Sequence, residues 1–298
     1  MNIDSLEGNV KKYLDIDKIY NSNKKFGVIV YNLSNLKKEE IILSDTKKED
    51  LANFLVASAS CFPAFRTKKI NDKTYIDGGY VNDMPVDLAI KLGATDIVAI
   101  NIGIGKVSYK LPSDVNLKVI SPKNDLENFL NFDKKISRRV LKLGYNDTLK
   151  EYNKLEGDKF SFKLGTSKKL LKSKDRFNLE IKNILGSSLA YNSFLELDDE
   201  SFLSLIEEAS LIMGLRDEVV YNKFLLNFQL KRHLKKVDME INIKKLIKEH
   251  KVVLKNKIVK YLYKLMVSNK KSDLRKLSII FKKEFLVALY LYIFFYIF

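Results

Sequence analysis

The tightest constraint on this chain lies at residues 75–86, Y-I-D-G-G-Y-V-N-D-M-P-V. Gly78 and Gly79 can take positive φ at little cost, so the backbone can turn sharply after a short strand and leave the Asp77 carboxylate aimed at a cleft. Pro85 fits the first turn of a following helix, with Asn82 or Asp83 as candidate caps. A carboxylate on such a turn is a candidate catalytic base. An ordinary Asp-Gly turn uses the same residues, its carboxylate holding only its own backbone.

The flanking sequence alternates elements. The apolar run 26–33 predicts a strand and 39–43 its partner. Ser44, Asp45 and Thr46 are candidate caps for a helix over 47–59. After the glycine turn, the Pro85 helix is expected to stop at Gly93, followed by a buried strand over 96–102 and another over 117–120. Strand, helix and strand at this pitch argue for an α/β sheet with crossover helices. From about Phe129 helical periodicity dominates, and the polar stretch 156–173 is the expected domain boundary. The expected division is therefore 1–155, a basic helical region 156–284, and an apolar aromatic tail 285–298.

The segments around the turn resemble the second half of a patatin-like phospholipase domain. Upstream stands L-V-A-S-A-S-C-F-P-A-F at 55–65, which is similar to the family's A-S-x-x-x-P-x-F with one residue more between Ser58 and Pro63; the Y-x-D-G-G turn and a helix ending at Gly93-Ala94 follow in the family's order, the family's N-x-P standing here as N-D-M-P at 82–85. S-P-K-N-D at 121–125 and L-G-Y-N-D at 143–147 are similar to its closing segments, so the resemblance covers about residues 10–155. It implies a patatin-like sheet with flanking helices and a serine–aspartate dyad acting on lipid acyl esters, with no cofactor. In that chemistry the serine attacks the ester carbonyl, the aspartate is the base, and amides of a glycine-rich loop stabilise the oxyanion. Carried over by position, Asp77 is the base, and Gly78 and Gly79 complete its turn.

The nucleophile has no counterpart. A nucleophile elbow requires G-x-S-x-G, and no two of the twelve glycines stand four positions apart. In the family the elbow and the oxyanion loop precede the A-S-x-x-x-P segment. Here about fifty residues precede it, and 1–25 is polar and nearly glycine-free. The expectation is a patatin-like domain without its front, inactive by itself, or a noncatalytic membrane-surface or partner-binding remnant of that fold. Ser58 and Ser60 follow an apolar run at helical spacing and are expected to pack as small residues. Ser187 and Ser188 lack a second glycine and a nearby base.

Charge separates the chain. The net charge is +16, and residues 222–283 hold nineteen Lys or Arg against four Asp or Glu, a net +15. Within that region Phe224, Leu225, Phe228, Leu230 and Leu234 alternate with Lys231, Arg232, Lys235 and Lys236. Leu246, Ile247, Val252, Val253, Leu254, Ile258, Val259, Leu262 and Leu265 recur at helical intervals. Basic amphipathic helices of this kind are either solvated faces or sites of attraction to anionic lipid. Nucleic acid is not expected, because no recognisable nucleic-acid motif is present.

Fourteen uncharged residues close the sequence at 285–298. As a helix they would extend about 21 Å, short of the ~30 Å hydrocarbon core. A buried helix and an aromatic anchor lying in the lipid interface both fit. Cys61, the one cysteine, suits a reducing compartment, and the apolar segment around it marks a small core residue. The expected location is cytoplasmic, peripheral to a membrane. Gly103-Ile104-Gly105 lacks the third glycine of a dinucleotide loop, and His233 and His250 have no Cys or His at ligand spacing, so no metal site is expected.

Overall fold

A computed structural model describes residues 3–103, 109–128, 130–186, 194, 196–238 and 254–297. Ile104, Gly105, Ser187, Ser188, Leu246, Ile247, His250, Val252 and Val253 lie outside the described residues. The chain divides into two compact units, Met1–Ser121 and Pro122–Phe298. Helix and sheet are mixed, as the α/β expectation requires.

The first unit opens with helices α1 (Asp4–Tyr13) and α2 (Ile16–Tyr20), then strands β1 (Gly27–Asn32) and β2 (Lys37–Ile42), helix α3 (Lys48–Ala57) and strands β3 (Lys68–Ile70) and β4 (Lys73–Asp77). These four strands form one antiparallel sheet in the order β2-β1-β4-β3. Asn71 and Asp72 both take positive φ, 47° and 62°, giving the two-residue hairpin between β3 and β4 the sense of twist its strands need. Helix α3 covers one face, where Val30, Phe54, Ala57, Ile70 and Tyr75 form a core cluster. The Phe54 and Tyr75 rings meet edge to face at 5.4 Å, an arrangement favoured by the ring quadrupole.

Helix α4 (Val86–Lys91) and strands β5 (Asp96–Ile100) and β6 (Asn116–Ile120) follow. The two strands pair in parallel, from Asp96 opposite Asn116 to Ile100 opposite Ile120. β5 departs from the fully buried strand expected of its apolar run. Ile97 and Ala99 pack with Met84 and Val86, whereas Val98, Ile100 and the following Ile102 face solvent. Only one face of the pair is covered, so its residues alternate in and out.

The caps also differ from expectation. Residues Leu43–Asp45 form a short 3-10 turn, and α3 starts behind Lys47 with no side-chain cap. Ser44 Oγ donates to Asp45 and Thr46 Oγ1 to the Ile42 carbonyl instead. Pro85 itself holds the cap position of α4. Asn82 Nδ2 donates to Asp87 Oδ1 at 2.7 Å, inside the helix's first turn.

The second unit contains helix α5 (Lys134–Glu151), a small sheet of β7 (Leu155–Glu156), β8 (Ser161–Lys163) and β9 (Val220–Tyr221), and the helices between and after them. These are α6 (Thr166–Leu171), α7 (Lys174–Leu185), α8 (Asp199–Ile212), α9 (Lys223–Lys236), α10 (Lys255–Val267), α11 (Lys271–Ile280) and α12 (Lys282–Tyr292), followed by a π-helical turn at Ile293–Ile297. Within the polar stretch 156–173, Phe160 and Phe162 are buried in this unit's core.

The aromatic tail resolves one of its two readings. Helix α12 packs against α7, α8, α10 and α11, and Phe285, Val287, Ala288, Leu289, Tyr290 and Leu291 are all completely buried. Burying a whole Val, Leu or Phe side chain gains roughly 1.5–3 kcal/mol, so α12 is the centre of the unit's core. Among the described residues, no helix is long and apolar enough to cross a membrane.

Candidate active site

Asp77 is the last residue of β4, opposite Val30 of β1. Its peptide N–H donates to the Ser60 carbonyl at 3.1 Å, which ties the segment 58–65 to the strand end. The chain then turns through a short 3-10 turn, Gly78–Tyr80, whose cap is the Asp77 side chain. Gly79 N–H donates to Asp77 Oδ1 at 2.8 Å. Both the Val81 and Asn82 N–H groups return to the Gly78 carbonyl, at 3.0 and 2.9 Å.

Neither glycine takes the positive φ expected of the turn; each is glycine for a steric reason of its own. A Cβ on Gly78 would lie 2.2 Å from the Ile29 carbonyl oxygen, a backbone atom that cannot step aside. At Gly79 the nearest atom to an added Cβ is Asp77 Oδ1 at 3.2 Å, so a side chain there would crowd the carboxylate. The turn thus brings β4 against β1 and holds the carboxylate in place.

Burial pushes the Asp77 carboxyl above its ordinary value, and the Gly79 N–H offsets this only in part. A half-buried carboxyl displaced in this direction is better matched to proton transfer near neutral pH. Beside it, Tyr80 reaches back across the turn and donates to the Phe62 carbonyl, with its hydroxyl 3.4 Å from Cys61 Sγ. The hydrogen bond with Cys61, then burial and the nearby Asp77 charge, push the Tyr80 phenol up. Cys61 is only partly buried and is not the core residue its apolar segment suggested; it and Tyr80 belong to this neighbourhood although nothing in the D-G-G pattern points to either, the aromatic residue directly behind the two glycines being the only signal the sequence offers.

The expected serines pack as small polar residues committed to main chain. Ser58 Oγ donates to the Ile29 carbonyl at 2.8 Å, and buried Ser60 Oγ to the Val56 carbonyl at 2.7 Å. Neither hydroxyl is hydrogen-bonded to Asp77. His233 sits in the second unit with Nδ1 2.8 Å from the Met213 carbonyl, and no group of metal-ligating side chains occurs among the described residues.

No curated protein and no solved structure matches the chain. A family model does match its N-terminal part, and the matched residues hold Asp77, both glycines and the two serines, while 121–125 and 143–147 lie beyond them. Over residues 1–90 this chain matches the family described as Patatin-like phospholipase.

Proposed function

We propose that this chain carries the base half of a patatin-type lipid acyl hydrolase. Asp77 accepts the proton of an attacking serine as that serine adds to an ester carbonyl and passes it to the departing alcohol as the acyl-enzyme forms; it then accepts a proton from the attacking water and returns it to the serine oxygen as the carboxylic acid leaves. Gly78 and Gly79 hold the base; the serine and the oxyanion amides are supplied from outside these residues. The observation that carries the reading is the half-buried Asp77 carboxyl, raised by burial and fixed by the Gly79 N–H at a strand end, within a segment that matches a lipid hydrolase family. The solvent-facing Val98, Ile100 and Ile102 also support it, because parallel sheets are ordinarily covered on both faces. Residues 222–283, with their net positive charge, bring the chain to the anionic lipid surface where its substrate lies.

A noncatalytic role for the same scaffold is the second reading. It is favoured by the commitment of both Ser58 and Ser60 hydroxyls to backbone carbonyls.

Esterase assay on acyl esters separates the two. The chain by itself should give no Asp77-dependent turnover. Co-expression with a segment encoding a glycine-rich loop and G-x-S-x-G, taken from the same reading frame upstream, should produce turnover that Asp77→Asn abolishes. Turnover by the chain alone that Asp77→Asn abolishes would overturn the missing-nucleophile reading. Turnover of the completed protein that survives Asp77→Asn would remove Asp77 from the mechanism. A stop codon in place of that upstream segment would favour the noncatalytic role.

A further inference from the structure

Helix α9 buries Leu226, Leu230 and Leu234 and leaves Phe224 and Phe228 outside, 80% and 54% exposed. These two rings stand one turn apart on one helix face. Both line a groove of about 700 Å³, together with Phe294 and Phe295 of the terminal π-helical turn. The rest of its lining is three lysines with the neutral Thr166, Asn222 and Asn227. Lys169, Lys223 and Lys231 line it, and it has no acidic lining residue. Lys223 Nζ lies 5.4 Å from the centre of the Phe294 ring, and Lys231 Nζ 5.7 Å from that of Phe295. Among the described residues none of the three lysines is paired with a carboxylate, and Lys223 Nζ donates to the Lys169 carbonyl at 3.1 Å.

Exposed phenyl rings beside lysines with long apolar stems match the headgroup region of a bilayer, where rings sit at the acyl boundary and ammonium groups reach the phosphates. Single-stranded nucleic acid also combines cations with aromatic rings, but it stacks its bases on open ring faces. Here the lysines occupy the faces of Phe294 and Phe295. We propose that this groove is a docking site for an anionic phospholipid surface, with Phe224 and Phe228 entering the interface and Lys169, Lys223 and Lys231 meeting lipid phosphates. This localises the anionic-lipid contact proposed for residues 222–283 and is independent of the role of Asp77.

The chain has no tryptophan, so Phe224→Trp gives a single fluorescent reporter at the site. Full-length protein is sedimented with phosphatidylcholine vesicles with and without phosphatidylserine. Binding is expected only with phosphatidylserine, accompanied by a blue shift of the reporter and its quenching by brominated lipid. The double variant Phe224→Ala, Phe228→Ala should lose about tenfold or more in partitioning. Lys169→Gln, Lys223→Gln, Lys231→Gln should lose more than an equal charge removal at Lys257, Lys264 and Lys276. All four phenylalanine- and lysine-substituted proteins are checked for an unchanged thermal melt, which their positions outside the buried core favour. Binding that survives loss of both phenylalanines, or a reporter that does not shift, would overturn the groove while leaving the wider electrostatic contact standing. Absence of vesicle binding by the unaltered chain would overturn both, and an oligonucleotide interaction abolished by the phenylalanine variant would reassign the groove to nucleic acid.

Discussion

Gly78 lies so close beneath Ile29 that an added Cβ would stand 2.2 Å from the Ile29 carbonyl oxygen. The same carbonyl accepts the Ser58 hydroxyl at 2.8 Å. Strand β1, the candidate base and the segment that follows α3 therefore converge on one peptide group.

Gly78→Ala should unfold or loosen the first unit, because the clash is with main chain and can be relieved only by separating β4 from β1. Overpacking typically costs roughly 1–3 kcal/mol, and backbone contact this close belongs at the upper end. Gly144 in α5 is the control: nothing lies within 4 Å of its added Cβ, and alanine there should be neutral or stabilising by up to about 1 kcal/mol. Chemical denaturation of the two variants would check the contrast.

Asp77→Asn should stabilise the first unit at neutral pH. The folded-state pKa of Asp77 is raised by burial, so its favourable contribution is complete below the unfolded value of about 3.9 and is lost as pH rises through the folded value. Asparagine keeps an acceptor for the Gly79 N–H without the charge. Melting temperatures of the pair should differ at pH 7, with the variant higher, and converge near pH 3; a variant that melts lower at pH 7 would contradict the assigned direction.

Glu156 predicts the opposite pH dependence. Burial pushes this carboxyl up, but the N–H groups of Ser167 and Gly165 outweigh burial and lower it on balance. It thereby caps the start of α6, where Gly165 has φ 76°. A lowered folded-state value contributes stability above the unfolded pKa of about 4.3, lost as pH falls through the folded value. Glu156→Gln should cost the second unit about 1 kcal/mol at pH 7, the usual worth of a capping group, and progressively less under acid.

Arg139 grips Asp217 with two hydrogen bonds, Nε to Oδ1 at 2.9 Å and Nη2 to Oδ2 at 2.6 Å. A lysine lacks this planar fork. Arg139→Lys should lower the melting temperature of the second unit although charge is kept, and a double-mutant cycle with Asp217→Ala should return a coupling of roughly 0.5–3 kcal/mol. Strictly additive single effects would show that the pair is held by its surroundings.

Much of the first unit was legible because its signals are local. The run G-V-I-V-Y-N forms β1 as expected, the helix before Ser58 forms, and α4 stops beside Gly93, whose φ is 91°. β3 escaped notice since two of its three residues are lysines, although Asn71-Asp72 marks its hairpin. β7, β8 and β9 are too short to show any period, and the pairing of β8 with β9 joins residues about sixty positions apart. The caps were misplaced because Ser44, Thr46 and Asn82 found partners other than a helix N-terminus. Asp77 and its glycines could be read from three consecutive letters, whereas the approach of Tyr80 to Cys61 exists only after 58–65 folds back onto the strand end. The position of α12 in the core was one of two open readings, settled by packing that no window of sequence contains.

The completely buried phenol of Tyr290 gives the protein an internal optical gauge. Burial holds its proton far beyond the usual range, while Tyr75 in the first unit, desolvated and hydrogen-bonded to Glu39, is pushed up to about 12. With fifteen tyrosines and no tryptophan to mask them, an alkaline spectrophotometric titration of intact protein should fall short of full phenolate absorbance. The missing signal should return in steps as each unit opens, so ultraviolet light would report which half yields first.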